Sequence, residues 1–399
     1  MAKNKIRFQK ALKAPIAEVY RAFTSPLALS EWFCAKAFAE LKVGGHLAIF
    51  MEQGQVYTGK FQTIEPNQKV VFTWHGEEPA ETLVSITLSP KDDLVQLTLD
   101  HSGFGEEPAW QDAYNKIKKF WEKGFFNLEL TLTTGEDARV TRRPLMGIYP
   151  SDVTPELAKK KDYPVDQGVH IDSVIPGMGA EKAGLMEGDI IVQIGKVPVP
   201  DNVTLRQVID TYHAGDTVKF TVYRGNTTFT TDVTFSFFKV SDIPFDPHAL
   251  ARQFRSNIEE AYNNLKELFH GTSAEQCNAR KEHESWSANE VIAHLIHGLR
   301  GLEQYIHDLL SDQTSFPTGN ADNAYAMVLA TTKVYPTNQE LLNALHSSIE
   351  EIAILVESIP ENFLVHKGTW WNIGNSLMSV SRHIEGHFDQ IKKSLAAGR

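Results

Sequence analysis

Three histidines in the last third of the chain have the clearest potential for chemistry. His383 and His387 are four positions apart in SRHIEGHFDQI, and His294 lies upstream in WSANEVIAHLIHGL. Residues i and i+4 share one face of a helix, so His383 and His387 can bind one ion together. A third imidazole from another helix would leave coordination positions open for water or substrate. The pattern predicts a divalent transition metal site, and three neutral imidazoles suit zinc, nickel, iron or manganese.

Four amphipathic helices are predicted around these histidines in residues 241–399. Capping boxes begin the second helix at Ser287 and the third at Thr337, each with a glutamate three residues later. On the second helix His294 flanks the apolar stripe, and Gly298 on the same side allows close approach. The histidine pair flanks the stripe of the fourth helix, and together the four helices predict a four-helix bundle. Their predicted bounds are His248–Phe269, Ser287–Leu310, Thr337–Ser358 and Ser376–Leu395.

An isolated helical histidine is more often a surface or core residue than a ligand, and an H-x3-H pair alone occurs often by chance. The wider pattern is more specific. A bundle with Trp286 eight residues before His294, and an H-x3-H pair in its last helix, resembles the DinB/YfiT-like superfamily; Gln390 also matches, whereas Phe388 replaces a frequent arginine. The resemblance implies that the three histidines bind a divalent metal and that the bundle pairs as a homodimer. Some members of that superfamily transfer low-molecular-weight thiols.

Residues 139–240 have short strands separated by glycine turns. The run from Gly168 to Val199, with a proline turn at Pro176 and Gly188-Asp189 before IIVQIG, resembles the PDZ domains of bacterial HtrA-type proteases. The resemblance implies that a protein C-terminus binds as an added strand, with its carboxylate in a loop of backbone N–H groups. The residues predicted to form this loop and the groove wall are Leu145, Met146, Gly147, Ile148, Leu205, Val208 and Ile209. Packing of the helix residues on the sheet is the simpler alternative.

Residues 1–138 begin with a strand and a short helix, continue with period-two strands and end in a long helix from Glu107 to about Leu132. This order, with the Gly44-Gly45 turn and the run VFTW at 71–74, resembles the helix-grip (START-like, SRPBCC) superfamily, in the branch named after the activator of the heat-shock chaperone ATPase. In that family a curved sheet wraps the last helix, often around an apolar cavity. The aromatic residues that either line a cavity for a small apolar ligand or pack as core are Trp32, Phe33, Trp74 and Trp121.

Composition narrows the function classes. The chain has 399 residues, of which 42% are hydrophobic and 22% charged, as in a globular protein of two to three domains. The net charge is −11 and no basic stripe is present, so we expect no nucleic-acid partner. No stretch approaches the ~20 apolar residues of a membrane span, and the N-terminus lacks an apolar signal region. Cys34 and Cys277 fall in different predicted domains, so we expect no disulfide and a cytoplasmic location.

The expected architecture is a multidomain α+β chain: a helix-grip domain in 1–138, a β-barrel-like PDZ domain in 139–240 and an all-α metal-binding bundle in 241–399. Two functions are compatible with it. The first is a binding protein, such as a stress-related adaptor, that captures a protein C-terminus and a small apolar ligand. The second is a metal-dependent enzyme of DinB type, a thiol S-transferase or hydrolase, for which the other domains recruit substrate. The chain carries no serine-, cysteine- or zinc-protease motif beside the PDZ segment.

Overall fold

The computed structural model describes residues 5–52, 54–237, 242–280, 285–314 and 325–398. The chain divides into two compact units. One unit combines Met1–Glu136 with Ser241–Arg399, and the other is Asp137–Val240. The first and third segments of the sequence therefore belong to one compact unit, which their sequence patterns do not indicate.

An antiparallel seven-stranded sheet and a long helix form the N-terminal part of the first unit. Its elements are β1 (Lys5–Leu12), α1 (Ile16–Thr24), α2 (Pro26–Trp32), β2 (Lys36–Ala39), β3 (His46–Phe50), β4 (Val56–Glu65), β5 (Lys69–Trp74), β6 (Thr82–Lys91), β7 (Leu94–Ser102) and α3 (Pro108–Thr134). The strand order is β1-β7-β6-β5-β4-β3-β2. Alternate residues of β7 are buried, as expected for a strand with one face on a core, and α3 contributes its apolar side to the same core. The predicted helix-grip architecture is confirmed.

Local sequence signals set the ends of these helices. The Ser25 side chain accepts a hydrogen bond from the backbone N–H of Ala28, and Pro26 occupies the first turn of α2, where its missing N–H has no cost. Helix α3 ends at Gly135, whose φ of 84° is the left-handed conformation that glycine adopts easily. These signals place the aromatic face of α3 against the sheet.

A smaller sheet forms the second unit. Its elements are α4 (Ala138–Thr141), β8 (Ile148–Val153), α5 (Pro155–Lys161), β9 (Gly168–Val174), α6 (Gly179–Lys182), β10 (Ile190–Ile194), β11 (Val197–Pro198), α7 (Asn202–Ile209), β12 (Thr217–Arg224) and β13 (Thr227–Thr234). The strand order is β13-β12-β10-β9-β8, and β11 pairs with β10. Strand β8 therefore lies at one end of the order, and α7 contacts both β8 and β9.

Helices form the C-terminal part of the first unit. They are α8 (Pro247–Leu268), α9 (Ala274–Asn278), α10 (Ala288–Leu310), α11 (Tyr325–Val334), α12 (Asn338–Glu357), α13 (Lys367–Gly386) and α14 (Phe388–Ala397), with a 3-10 turn at Glu361–Val365. The predicted first, second and third helices correspond to α8, α10 and α12, and both capping boxes are present. The bounds Ser376–Leu395 predicted for the fourth helix are wrong, because α13 begins at Lys367 and a break at His387 separates it from α14. Within the described ranges, no helix is long and apolar enough to cross a membrane.

A network of ion pairs and hydrogen bonds, buried at Glu31 and Thr369 and exposed at Asp312, connects the sheet part and the helical part of the first unit. Arg21 on α1 forms ion pairs with Glu31 on α2 and with Asp312 after α10, at 3.4 and 2.7 Å. Burial raises the pKa of Glu31, and the Thr369 hydroxyl on α13 donates a hydrogen bond to the Glu31 carboxylate. Leu27 on α2 belongs to the apolar core of the helices. Because buried charges are costly unless they are paired, this network fixes how the two parts pack.

Candidate functional site

The side chains of His294, His383 and His387 converge on one point. The Nε2 atom of His383 lies 3.2 Å from Nε2 of His294 and 3.2 Å from Nε2 of His387. The ring centres are 4.9 to 5.2 Å apart. His294 is buried, His387 is half-buried and His383 is exposed. The structure thus brings together the three histidines singled out in the sequence, in a cluster that is accessible on the His383 side.

Two helices and a helix break position this three-histidine cluster. Helix α10 carries His294, and α13 carries His383 in its last turn. His387 is the residue between α13 and α14, where the chain leaves one helix and begins the next. A Cβ on Gly298 of α10 would lie 3.3 Å from Cε1 of His383. Glycine at this position therefore lets the His383 ring approach α10 closely, as the sequence predicts.

Gln390 fixes the orientation of His387. The Nδ1 atom of His387 lies 2.8 Å from Oε1 of Gln390. An amide oxygen only accepts, so Nδ1 carries the proton and the lone pair of the neutral ring is on Nε2, which faces the cluster. Burial lowers the pKa of His387, and the neighbouring His294 lowers it further, while the Gln390 contact opposes both. A neutral imidazole with an outward-held Nδ1–H is the form that ligates metals.

The spacing of the three Nε2 atoms fits a metal ion. With metal–nitrogen bonds of about 2.0–2.1 Å, two ligands of a tetrahedral site lie about 3.3–3.4 Å apart, and neighbouring ligands of an octahedral site about 3.0 Å. The observed separations of 3.2 Å fall between these values. If each ring carries its proton on Nδ1, the three Nε2 lone pairs point to one place, where a cation would be ligated by all three. The residues present therefore fit a divalent metal with further coordination positions open.

Other polar residues near the cluster have different partners. His297, one turn after His294, lies 2.9 Å from the Met327 carbonyl oxygen and 2.8 Å from Thr331 Oγ1, so it connects α10 to α11. Glu385 is exposed and is not part of the group. In the part of the chain that the structure describes, the group of converging ligand atoms consists of the three histidines without a carboxylate.

The four aromatic residues predicted to line a cavity lie together inside the sheet. Phe33 stacks on Trp121 at 4.9 Å and lies 4.7 Å from Trp32, and Trp74 is 5.7 Å from Trp121. Each of the four is at most 5% exposed. Their contacts with each other account for this burial by core packing, and binding of a small apolar ligand beside them stays a prediction.

His101 joins this aromatic cluster, although nothing in its sequence context singles it out. The Trp121 indole N–H donates to Nδ1 of His101 at 3.1 Å. Nε2 must then carry the proton, and it donates to the Thr82 hydroxyl at 2.8 Å, which in turn donates to the Trp74 carbonyl oxygen at 3.0 Å. Burial lowers the pKa of His101 to about 3. This histidine is therefore neutral, with a partner at each nitrogen.

The predicted carboxylate-binding loop of the second unit precedes β8. Gly147 has a φ of 83°, and a Cβ there would lie 2.3 Å from Cβ of Met178, so only glycine fits. The Met146 side chain is buried, and its carbonyl oxygen accepts a hydrogen bond from the N–H of Ala180 at 2.8 Å. Leu145 exchanges backbone hydrogen bonds with Ser236. These contacts hold the loop rigidly at the start of β8.

Helix α7, which carries three of the residues predicted to form the peptide groove, contacts strand β8. Among the described strands, β8 pairs with β9 alone. Leu205 and Val208 of α7 belong to the apolar core of this unit, while Ile148 and Ile209 are partly buried against it. The apolar side of α7 therefore packs on the sheet, and its role as a wall of a peptide groove stays a prediction.

Three family profiles match the chain in succession. Residues 13–133 match the Activator of Hsp90 ATPase homolog 1-like protein family, residues 144–235 the PDZ domain and residues 257–391 the DinB superfamily. The three resemblances and the multidomain α+β fold class predicted from the sequence are confirmed.

Curated relatives cover only part of the chain. It is 32% identical over 93 residues to the periplasmic pH-dependent serine endoprotease DegQ of Escherichia coli, which is 23% of this chain and 20% of that protein. It is also 32% identical over 105 residues to the serine protease Do-like HtrA of Lactococcus lactis, which is 25% of this chain and 26% of the relative. The chain thus spans about a fifth to a quarter of these relatives.

Solved structures similar to the chain also match about a third of it. Protein MLL2253 from Mesorhizobium loti is 28% identical, with 32% of this chain and 96% of that one covered and a TM-score of 0.30. The Aha1 dimer from Colwellia psychrerythraea is 21% identical, with 32% and 95% covered and a TM-score of 0.29.

Proposed function

We propose that this chain, which joins an Hsp90-activator-like segment, a PDZ segment and a DinB segment, is a multidomain binding protein with one divalent transition metal. The convergence of the three imidazoles carries the proposal, with Nε2 of His383 lying 3.2 Å from Nε2 of each of the other two. His294, His383 and His387 would hold the ion, and Gln390 would keep His387 in the ligating tautomer. A bound zinc, nickel, iron or manganese ion supplies a Lewis acid that lowers the pKa of a water or thiol at an open position.

The PDZ segment is the part of the chain that we propose binds another protein. We assign a C-terminal peptide to the groove between β8 and α7, with the loop from Leu145 to Ile148 holding the terminal carboxylate. An added strand on the β8 edge supplies backbone hydrogen bonds, and the apolar residues of α7 select the last side chain. The helix-grip domain would hold a small apolar ligand beside Trp74 and Trp121. In this reading the chain is an adaptor with three separate binding functions.

A metal-dependent enzyme is the second candidate. The exposure of His383 favours it, because an accessible side of the cluster allows a substrate to reach the coordination positions that the histidines leave open. A transferase or hydrolase of this kind would use the three histidines to hold the metal, and the helix-grip and PDZ segments to recruit substrate.

Metal content of the untagged full chain tests the primary proposal. We expect about one equivalent of a transition metal in the wild type and loss of most of it in His383→Ala. The matched control is His307→Ala, an exposed histidine on α10 outside the cluster, which should keep the metal. A wild type that stays metal-free after reconstitution with zinc, nickel, iron or manganese would refute the metal site, and with it the enzyme candidate.

Peptide binding by the full chain tests the second part. Peptides with an apolar last residue should bind with a free carboxylate and at least about tenfold more weakly as C-terminal amides. Ile209→Glu, on the part of α7 that is half-buried beside the groove, should weaken binding by a similar factor. Val203→Glu is the control, since Val203 lies on the same helix and is 66% exposed. Equal binding of acids and amides would exclude carboxylate capture.

A further inference from the structure

One buried carboxylate in the helix-grip domain has half of its hydrogen-bonding capacity unused. Glu78 lies in the loop after β5 and is 6% exposed. The Trp74 indole N–H donates to its Oε1 atom at 2.9 Å. Its Oε2 atom is also buried, and among the described residues it has no hydrogen-bond partner. A buried carboxylate oxygen without a donor costs free energy, so this atom needs a partner from outside the protein.

Two polar groups near Glu78 have partners within the protein, in contrast to its Oε2 atom. His101, whose ring centre lies 5.7 Å from that of Trp74, has partners at both ring nitrogens. Glu77, the next residue to Glu78, is exposed and forms an ion pair with Lys116 at 3.6 Å. No lysine, arginine or histidine within the described ranges forms an ion pair with Glu78. Glu78 is thus a carboxylate without a cation in this aromatic interior.

Two further aromatic rings pack against Trp74, the residue whose indole N–H contacts Glu78. Tyr57 stacks on Trp74 with centres 4.6 Å apart, and Phe120 lies 5.8 Å from Tyr57 and 6.1 Å from Trp74. Tyr57 and Phe120 are half-buried, so an incoming molecule meets them before the core. Gly76 makes room for Tyr57, because a Cβ there would lie 2.3 Å from the ring. Burial raises the pKa of Tyr57 to about 12, with further contributions from Glu77 and Glu78, so its hydroxyl remains protonated.

We propose that Glu78, Tyr57, Trp74 and Phe120 form a binding site for an aliphatic ammonium. The N–H groups of an ammonium donate to Oε2 of Glu78, its charge balances the carboxylate, and the ring faces attract the cation. Its aliphatic tail packs on the aromatic cluster. A fatty acid of the same length is rejected, because its carboxylate would approach that of Glu78. This inference rests on the proposed apolar ligand of the helix-grip domain and names the head group of that ligand.

Calorimetric titration of the full chain with octylamine, octan-1-ol and octanoate at pH 7 tests the head group. Octylammonium should bind at least tenfold more tightly than octanol, and octanoate should bind most weakly. Glu78→Gln should lower the octylammonium affinity at least tenfold and leave octanol within about threefold. Glu77→Gln is the matched control and should leave all three unchanged. Tyr57→Leu, which removes a half-buried ring, is a second variant and should weaken octylammonium several-fold.

Three other results of these titrations would contradict the ammonium site. Equal binding of octylammonium and octanol to the wild type, or equal octylammonium binding to Glu78→Gln, would overturn the assignment while the apolar-ligand proposal stands. Absence of saturable binding by all three probes would overturn both, and would mean that Glu78 Oε2 takes only a water molecule. Metal content and C-terminal peptide binding are measured separately, so their failure does not affect this result.

Discussion

His101 and the three-histidine cluster lie in the same compact unit, and they differ in how their ring nitrogens are partnered. His101 is enclosed by aromatic rings, and its two nitrogens are matched by Trp121 and Thr82. The three histidines of the bundle turn their Nε2 atoms toward each other instead. Burial does not distinguish the groups, because His101 and His294 are both buried. The difference is that neutral protein groups occupy both ring nitrogens of His101, whereas a cation would be needed to bind the converging nitrogens of the three-histidine cluster.

Removal of the metal should produce the largest difference between the two groups. Zinc at about a thousand times its dissociation constant should stabilise the wild type by about 4 kcal/mol relative to the chelator-treated protein, because the ion binds the folded state alone. His294→Ala should lose this gain. Urea unfolding with and without zinc measures it, and His101→Gln is the control that should retain it. A zinc-dependent gain that survives in His294→Ala would place the metal elsewhere.

Replacing His101 by alanine should have the next largest effect, and this effect should be on the free energy of unfolding and not on metal content. His101→Ala leaves the Trp121 N–H without an acceptor and opens a cavity among the rings. We expect a loss of about 3 kcal/mol in the free energy of unfolding. Metal content should not change. A fall in metal content in the folded variant would show that the two groups are coupled, and the contrast between them would fail.

The convergence of the three histidines could be predicted from the sequence because its signals are local. The capping box at Ser287 fixes the start of α10 and therefore the face on which His294 lies. The i, i+4 spacing of His383 and His387 brings them together within one helical turn. Gly298 has no side chain, so the sequence itself indicates that another helix can approach α10 there. The family resemblance adds that α10 and the last helices meet. Each of these inferences depends on a few neighbouring residues, and the structure brings all three histidines together.

The beginning of α13 was not predictable in the same way, because its signals come from distant residues. Gly368 and Gly374 look like helix breakers in the sequence. In the structure they are helical and allow close contacts, since a Cβ on Gly368 would lie 2.7 Å from Oε2 of Glu31, and one on Gly374 2.3 Å from Cγ2 of Ile243. The network of ion pairs and hydrogen bonds around Arg21 and Glu31 likewise joins residues that are hundreds of positions apart, which no local pattern reveals. The partners of His101, Thr82 and Trp121, are also 19 and 20 positions away, so its immediate neighbours do not single it out.

Lowering the pH should decrease the free energy of unfolding of the first compact unit, because His101 is neutral when the protein is folded. Its pKa is about 3 in the folded protein and about 6.5 in the unfolded chain, so between these values the unfolded chain binds one more proton. The contribution is complete above pH 6.5 and is lost as the pH falls, by about 1.4 kcal/mol per pH unit. Between pH 7.5 and pH 5 the wild type should lose about 2 kcal/mol more than His101→Gln, in urea unfolding of the metal-free proteins. Equal losses would mean that His101 is accessible to protons in the folded state.

The smallest expected effect tests whether Gln390 orients the His387 ring in the three-histidine cluster, as Trp121 contacts the Nδ1 atom of His101. Gln390→Ala leaves the His387 Nδ1–H to water, so the ring loses the contact that holds its lone pair toward the cluster. Loss of such a contact typically weakens metal affinity about tenfold, and Gln390→Glu should restore it because a carboxylate accepts the same hydrogen bond. Competition with a zinc indicator measures the affinity, with Lys393→Ala, exposed on the same helix α14, as the control. An unchanged zinc affinity in Gln390→Ala would show that helix geometry alone orients His387. The Nδ1 contact of His387 would then have no effect comparable to that of the Nδ1 contact of His101.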